Sequence, residues 1–136
     1  DHRKEMSTQA VAQLVSTMLY GKRFFPYYIS NIVAGLDENG EGAVYSYDPV
    51  GSFERKSYRA AGSSSPLIQP LLDNLIEQGN QVNPPKFEMT VDHVKRVVVD
   101  AFVSAAERDI YVGDSVLLQI ITKDGIIEER SSLRKD

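Results

Sequence analysis

A chain of 136 residues and 15.2 kDa, with 42% hydrophobic and 25% charged residues, has the balance of one ordinary folded domain, expected to span 1–136. Its net charge of −4 and pI near 5.2, with the basic pairs Arg3–Lys4, Lys22–Arg23, Lys95–Arg96 and Arg134–Lys135 scattered along the chain, argue against a nucleic-acid surface. The absence of cysteine excludes disulfides, thiolate zinc sites and cysteine nucleophiles. The sequence has no apolar run of membrane-span length and its opening is too charged for a secretory core, so a cytosolic or nuclear protein is expected.

Between Met6 and Tyr20, apolar residues at Met6, Ala10, Val11, Leu14, Val15, Met18 and Leu19 recur at helical steps and predict one buried stripe. Ser7 or Thr8 is placed to cap the start, and Gly21 to end it. Phe24-Phe25-Pro26-Tyr27-Tyr28 follows, an aromatic cluster around a proline break that suits either the core or an interface, with the core expected first. Ile29 to Leu36 is rich in β-branched residues and reads as a strand. Asp37-Glu38-Asn39-Gly40 then predicts a hairpin whose return strand is Ala43 to Tyr47. Asp48 to Ser52 is turn-like, and Phe53 to Arg59 is a candidate third strand.

Gly62-Ser63-Ser64-Ser65-Pro66 reads as a loop delivering a serine-capped helix that carries Leu67, Ile68, Leu71, Leu72, Leu75 and Ile76. Pro70 predicts an irregular first turn or a later start. Gln78 to Lys86 is an exposed connection. Thr90 caps a long helix with a stripe of Val91, Val94, Val97, Val98, Ala101, Phe102 and Ala105, ending near Arg108. Val116 to Thr122 and Ile126 to Arg130 flank Lys123-Asp124-Gly125, which predicts a tight hairpin with a primed turn. The tail from Ser131 to Asp136 is polar and expected to be solvated. Strands arriving as hairpins, with amphipathic helices to cover one sheet face, give an α+β class with antiparallel pairing.

The chemistry-bearing groups are sparse. His2 and His93 stand far apart without a carboxylate at ligand spacing, so no metal site is expected and both read as surface or helix-face histidines. Gly35, Gly40, Gly42 and Gly51 do not form a phosphate cradle. The serines at 63–65 could offer donors to an anion, but capping accounts for them. Glu107, Arg108, Asp109 and Asp114 read as ion-pairing or loop-bonding charges rather than a polar site.

Read together, Tyr20-Gly21-Lys22-Arg23-Phe24-Phe25-Pro26-Tyr27-Tyr28, Gly35-Leu36-Asp37, Gly42 to Ser52, Leu71-Leu72-Asp73-Asn74 and Ser104-Ala105-Ala106-Glu107-Arg108-Asp109 resemble proteasome beta subunits, in particular the non-catalytic member at the sixth position of the ring. The resemblance implies part of a four-layer αββα sandwich, the N-terminal nucleophile hydrolase fold. It also implies opening strands and a first helix upstream of Asp1, with an N-terminal threonine position and its supporting aspartate and lysine, none of them in this sequence. In catalytic relatives that threonine attacks a peptide carbonyl with the chain's own amine as base.

Those relatives carry a supporting serine in a Gly-Ser-Gly-Ser loop, matched by Ser63, where Ser64 replaces the inner glycine. They also carry an Arg-Asp-x-x-Ser-Gly stretch, matched by Arg108 and Asp109, where Val112 replaces the serine. Valine neither donates nor accepts a hydrogen bond. The resemblance therefore implies no catalytic residue, no cofactor, and structural roles for Ser63 and Asp109. The implied partners are neighbouring beta subunits of the same ring, alpha-ring subunits and beta subunits of the opposite ring, without nucleic acid or membrane. An N-terminal threonine peptidase and a free-standing binding or adaptor domain remain as alternatives.

Overall fold

In the computed structural model, which describes residues 4–79 and 81–135, the chain forms α1 (Thr8–Tyr20), β1 (Ile32–Leu36), β2 (Gly42–Tyr47), β3 (Phe53–Lys56), α2 (Ser65–Leu72), a π-helical turn (Asp73–Glu77), α3 (Val91–Ala106), β4 (Ser115–Thr122) and β5 (Gly125–Ser132). The expectations placed on His2, Arg3, Asn80 and Asp136 lie outside the described residues. The class is α+β with antiparallel pairing, as expected. Two compact units are distinguished, Asp1–Ala61 with Ile121–Ile126, and Gly62–Ile120 with Ile127–Asp136.

In the first unit α1 packs on β1 and β2. Ser7 caps the helix, its hydroxyl accepting from the Ala10 N–H at 3.1 Å. Gly21 ends it with right-handed backbone, φ −60°, and the chain tightens into three-residue turns, Lys22 N–H to Leu19 O and Arg23 N–H to Tyr20 O, both 3.1 Å. The buried face differs from the expected stripe. Ala12 and Leu19 are buried with Val15 partly so, while Met6, Leu14 and Met18 are exposed. This helix is apolar on two sides, and small Ala12 allows the close approach that brings the Tyr47 hydroxyl to its carbonyl at 2.5 Å. Thr8 secures the same face by donating to Leu36 O at 2.7 Å.

The aromatic cluster also departs from expectation. Phe24, Phe25 and Tyr28 are 85, 87 and 92% exposed. Pro26 breaks the backbone between the helix end and β1, and local turn bonds hold this stretch without bringing its rings onto α1 or the sheet core. Phe24 has the Arg23 guanidinium 5.6 Å from its ring centroid.

The sheet runs β1-β2-β3, with Val33 opposite Tyr45 and Tyr47 opposite Phe53. Ala43, Tyr45 and Tyr47 alternate onto the helix side, as the two-residue period of a half-buried strand requires. Tyr47 stacks on Phe53 at 5.3 Å, and Tyr45 meets the same ring edge-on at 5.9 Å. The two loops of this sheet use one device. In Asp37 to Glu41 and again in Asp48 to Ser52, the Asp Oδ1 accepts from the backbone N–H groups two and four residues on, and the Asp N–H donates to the fourth carbonyl. In each, a glycine three residues after the aspartate takes positive φ, 76° at Gly40 and 100° at Gly51. The first hairpin thus uses positive φ at Gly40 alone, and Asn39 stays in ordinary backbone.

In the second unit α2 packs against α3, with Ile68, Leu72, Val97, Ala101 and Ala105 buried. Pro66 sits where a helix needs no N–H. The helix starts at Ser65 and passes through Pro70, so the irregularity falls later, in the π-helical turn closed by Gln78 N–H to Asp73 O at 2.9 Å. Thr90 caps α3 by accepting from His93 N–H at 3.2 Å, and Asp92 lies in its positive first turn. Val91 and Val94 of the expected stripe are exposed; burial starts at Val97. His93 is a helix-face residue, stacked on Phe87 at 5.4 Å.

Lys95 of α3 pairs with Glu129 of β5 at 2.7 Å. Neither Lys123 nor Asp124 takes positive φ, so the hairpin is not primed; Gly125, φ 124°, absorbs the reversal, and Thr122 Oγ1 bonds the turn at Asp124 N–H and Gly125 O. The tail is not simply solvated. β5 runs to Ser132 and Leu133 is buried, because Leu133 N–H donates to Asp114 O at 2.8 Å and Asp114 N–H to Arg134 O at 2.9 Å. Hydrogen bonding to a neighbouring loop outweighs the polarity of the segment.

Candidate functional site

Two chain segments of the second unit converge on one carboxylate. Gly62, φ 105°, turns the chain into α2 and brings Ser63 and Ser64 forward. Behind α3, Asp109 N–H donates to Ala105 O at 2.9 Å, which holds the residue against the helix end. Asp109 Oδ2 then accepts from Ser63 Oγ at 2.8 Å and from Ser64 Oγ, while Oδ1 accepts from Tyr111 N–H at 2.9 Å. The backbone turn is completed by Val112 N–H to Asp109 O at 3.2 Å.

The expected serine cap is therefore not what Ser64 does. It occupies the N-cap position of α2, but its backbone, φ −94° and ψ 9°, is not the extended conformation of a capping serine, and its hydroxyl donates to Asp109 instead. Ser64 is also the buried member of the pair, 5% exposed, while Ser63 is exposed. The motif resemblance singles out Ser63 and Asp109 and marks Ser64 only as a departure from the loop's inner glycine, not as a partner of Asp109. Its polarity at a crowded helix start, with a carboxylate elsewhere in need of donors, was the available signal.

Hydrogen bonds from Ser64, Tyr111 N–H and Ser63, in that order of weight, hold the Asp109 carboxyl below the ordinary aspartate range, against a smaller opposing effect of burial. A carboxylate held below its ordinary range and bonded at both oxygens is a poor proton acceptor. It is suited to tying the 62–65 loop to the 107–112 segment. The linkage has a defined sign. With a folded pKa below the unfolded one, the Asp109 contribution is complete above the unfolded aspartate pKa and is lost as pH falls through the lowered folded value. Denaturation curves should accordingly show wild type more stable than Asp109→Asn at neutral pH, with the difference shrinking in acid. A difference that holds constant into acid would remove the charge-assisted bonds from this account.

The other charged candidates take structural parts. Glu107 pairs with Arg134 at 3.0 Å, and Asp114, φ 62°, serves the tail through its backbone. Gly35, Gly40, Gly42 and Gly51 lie in β1, β2 and the loops of that sheet. Among the described residues, no group of three His, Cys, Asp or Glu side chains could hold a metal ion, and no helix is long and apolar enough to cross a membrane.

The family model described as "Proteasome subunit" matches residues 1–121 of this chain. The chain is 53% identical over 135 residues to "Proteasome subunit beta type-1-B" of Carassius auratus, covering 99% of this chain and 57% of that protein. It is 52% identical over 137 residues to "Proteasome subunit beta type-1" of Drosophila melanogaster, covering 99% and 58%. To "Proteasome subunit beta type-6" of Saccharomyces cerevisiae it is 47% identical over 145 residues, covering 100% and 60%. The chain thus spans somewhat more than half the length of the curated relatives it matches.

Proposed function

This chain belongs to the proteasome subunit family, and on that premise we propose that it is a non-catalytic beta subunit of the 20S core particle, filling one ring position and helping to wall the chamber in which intracellular proteins, ubiquitin-tagged ones included, are degraded. The relatives' beta type-1 names support the beta assignment. The observation that carries the non-catalytic part is the state of Asp109. Both its oxygens are taken by Ser63, Ser64 and Tyr111 N–H, and by resemblance Val112 stands at the motif position where catalytic relatives carry their second serine, a hydroxyl that valine cannot replace. Ser63 and Asp109 then act as structural ties, and no catalytic residue or cofactor is assigned to this chain.

On this reading residues 1–136 are one domain-sized portion of a four-layer αββα sandwich. Its partners are neighbouring beta subunits, the alpha ring and the opposite beta ring, in cytoplasm and nucleus, with no role for nucleic acid or membrane. The exposed Phe24, Phe25, Tyr28, Leu14 and Met18 fit a chain that buries apolar surface against other polypeptide.

The test is to isolate the particle through this chain, weigh it by native mass spectrometry, and treat it with a covalent probe for N-terminal threonine. We expect a large particle of many different subunits in which other chains are labelled and this one is not. Val112→Ser should leave this chain unlabelled, since one restored hydroxyl supplies neither nucleophile nor base. Labelling of this chain would favour a threonine peptidase, and recovery as a monomer would favour a free-standing domain.

A further inference from the structure

Of the chain's five asparagines, Asn39 alone is followed by glycine; Asn31, Asn74, Asn80 and Asn83 precede Ile32, Leu75, Gln81 and Pro84. The distinction is chemical. An asparagine side-chain amide is open to attack by the next residue's backbone nitrogen, and a successor without a Cβ leaves that nitrogen unhindered and its backbone free to rotate. Asn39 is exposed, in the loop between β1 and β2.

The folded loop holds these atoms in other bonds. Gly40 N–H donates to Asp37 O at 3.0 Å, and Asn39 N–H donates to Asp37 Oδ1 at 2.9 Å. The other oxygen of Asp37 accepts from Arg55 Nη2 at 3.0 Å, and the same nitrogen donates to Gly42 O at 3.0 Å. One guanidinium from β3 thus grips both ends of the loop that carries Asn39. For attack to occur, Gly40 must leave Asp37 O and Asn39 must rotate, which requires this clamp to open.

We infer that Asn39 is a modification site, deamidating spontaneously through a cyclic imide at a rate set by opening of the Asp37–Arg55 clamp. The Gly40 nitrogen bonds to Asn39 Cγ, the Cγ–Nδ2 bond breaks, and the departing nitrogen takes up the proton lost by Gly40 and leaves as ammonia. Water then opens the imide at either carbonyl, leaving aspartate or isoaspartate at position 39. Either product adds a carboxylate to a loop that already holds Asp37, Glu38 and Glu41. Isoaspartate also lengthens the backbone within the span from Asp37 O to Gly40 N–H, next to the Leu36–Gly42 pair that starts the strand register.

The test is peptide mapping by mass spectrometry, with isoaspartate detection, on the full chain aged in mildly alkaline buffer. Wild type should convert at position 39 ahead of its other asparagines. Arg55→Gln should convert severalfold faster, and Lys56→Gln on the same strand should match wild type, separating the clamp from general loosening of β3. If Arg55→Gln does not fold, added salt on wild type gives the same comparison by screening the exposed pair. Two results would overturn the inference: an Asn39 that stays intact while a short peptide of residues 35–43 converts, or equal rates with and without the Arg55 clamp.

Discussion

Gly51→Ala should destabilise the chain by about 3 kcal/mol, the combined scale of backbone strain and an overpacked contact. Gly51 has φ +100°, a conformation side chains rarely adopt, and a Cβ there would stand 2.6 Å from Ser16 O and 3.3 Å from Tyr20 N. Both atoms are backbone of α1, so neither can rotate away. The loop cannot retreat easily either. Gly51 O accepts from Ser16 Oγ at 2.6 Å and Gly51 N–H donates to Asp48 O at 3.2 Å. The measurement is chemical denaturation of the two proteins side by side. A loss within the few tenths of a kcal/mol usual for surface changes would mean that this loop does not seat against the helix as described.

The second large effect is at Tyr47, where packing and a hydrogen bond can be separated by a graded pair of variants. Tyr47 is 7% exposed, stacks on Phe53 and donates to Ala12 O. Tyr47→Phe removes only the hydroxyl and should cost about 1 kcal/mol, the net worth of a typical hydrogen bond. Tyr47→Ala also empties the space between β2 and α1 and should cost about 4 kcal/mol, as large-to-small changes at buried aromatic positions do. Tryptic cleavage at Lys22 and Arg23, just past α1, should rise with the second variant more than with the first. Equal losses for the two would assign the whole effect to the hydrogen bond and none to packing.

Local chemistry was readable from the sequence where it acts over a few residues. Ser7 and Thr90 cap their helices through a hydroxyl three residues before the amide they serve. The strands were legible for the same reason, since alternation at Ala43, Tyr45 and Tyr47 is a property of the strand itself. At the candidate site, Ser63, Asp109 and Val112 could be named from motif resemblance alone.

Most of what the structure changed depended on partners distant in sequence, the turn at 123–125 excepted. The primed turn expected of the Asp-Gly pair in Lys123-Asp124-Gly125 does not form, because Asp-Gly admits positive φ without requiring it at the aspartate, and here Gly125 carries it. The tail looked solvated because the loop at Asp114 that takes its hydrogen bonds lies many residues earlier. The serines at 63–65 read as a helix cap because the actual acceptor of Ser64, Asp109, is 45 positions away.

By itself, then, the amino-acid sequence determined the α+β class, the element order and the family, since each follows from short-range periodicity, capping chemistry or a contiguous motif. Only the tertiary structure decided which of two apolar sides of α1 is buried, that the Phe24–Tyr28 aromatics face outward, and that both serines spend their hydroxyls on one carboxylate. Those outcomes turn on competition between surfaces and acceptors brought together by folding, and a one-dimensional pattern contains no term for that competition.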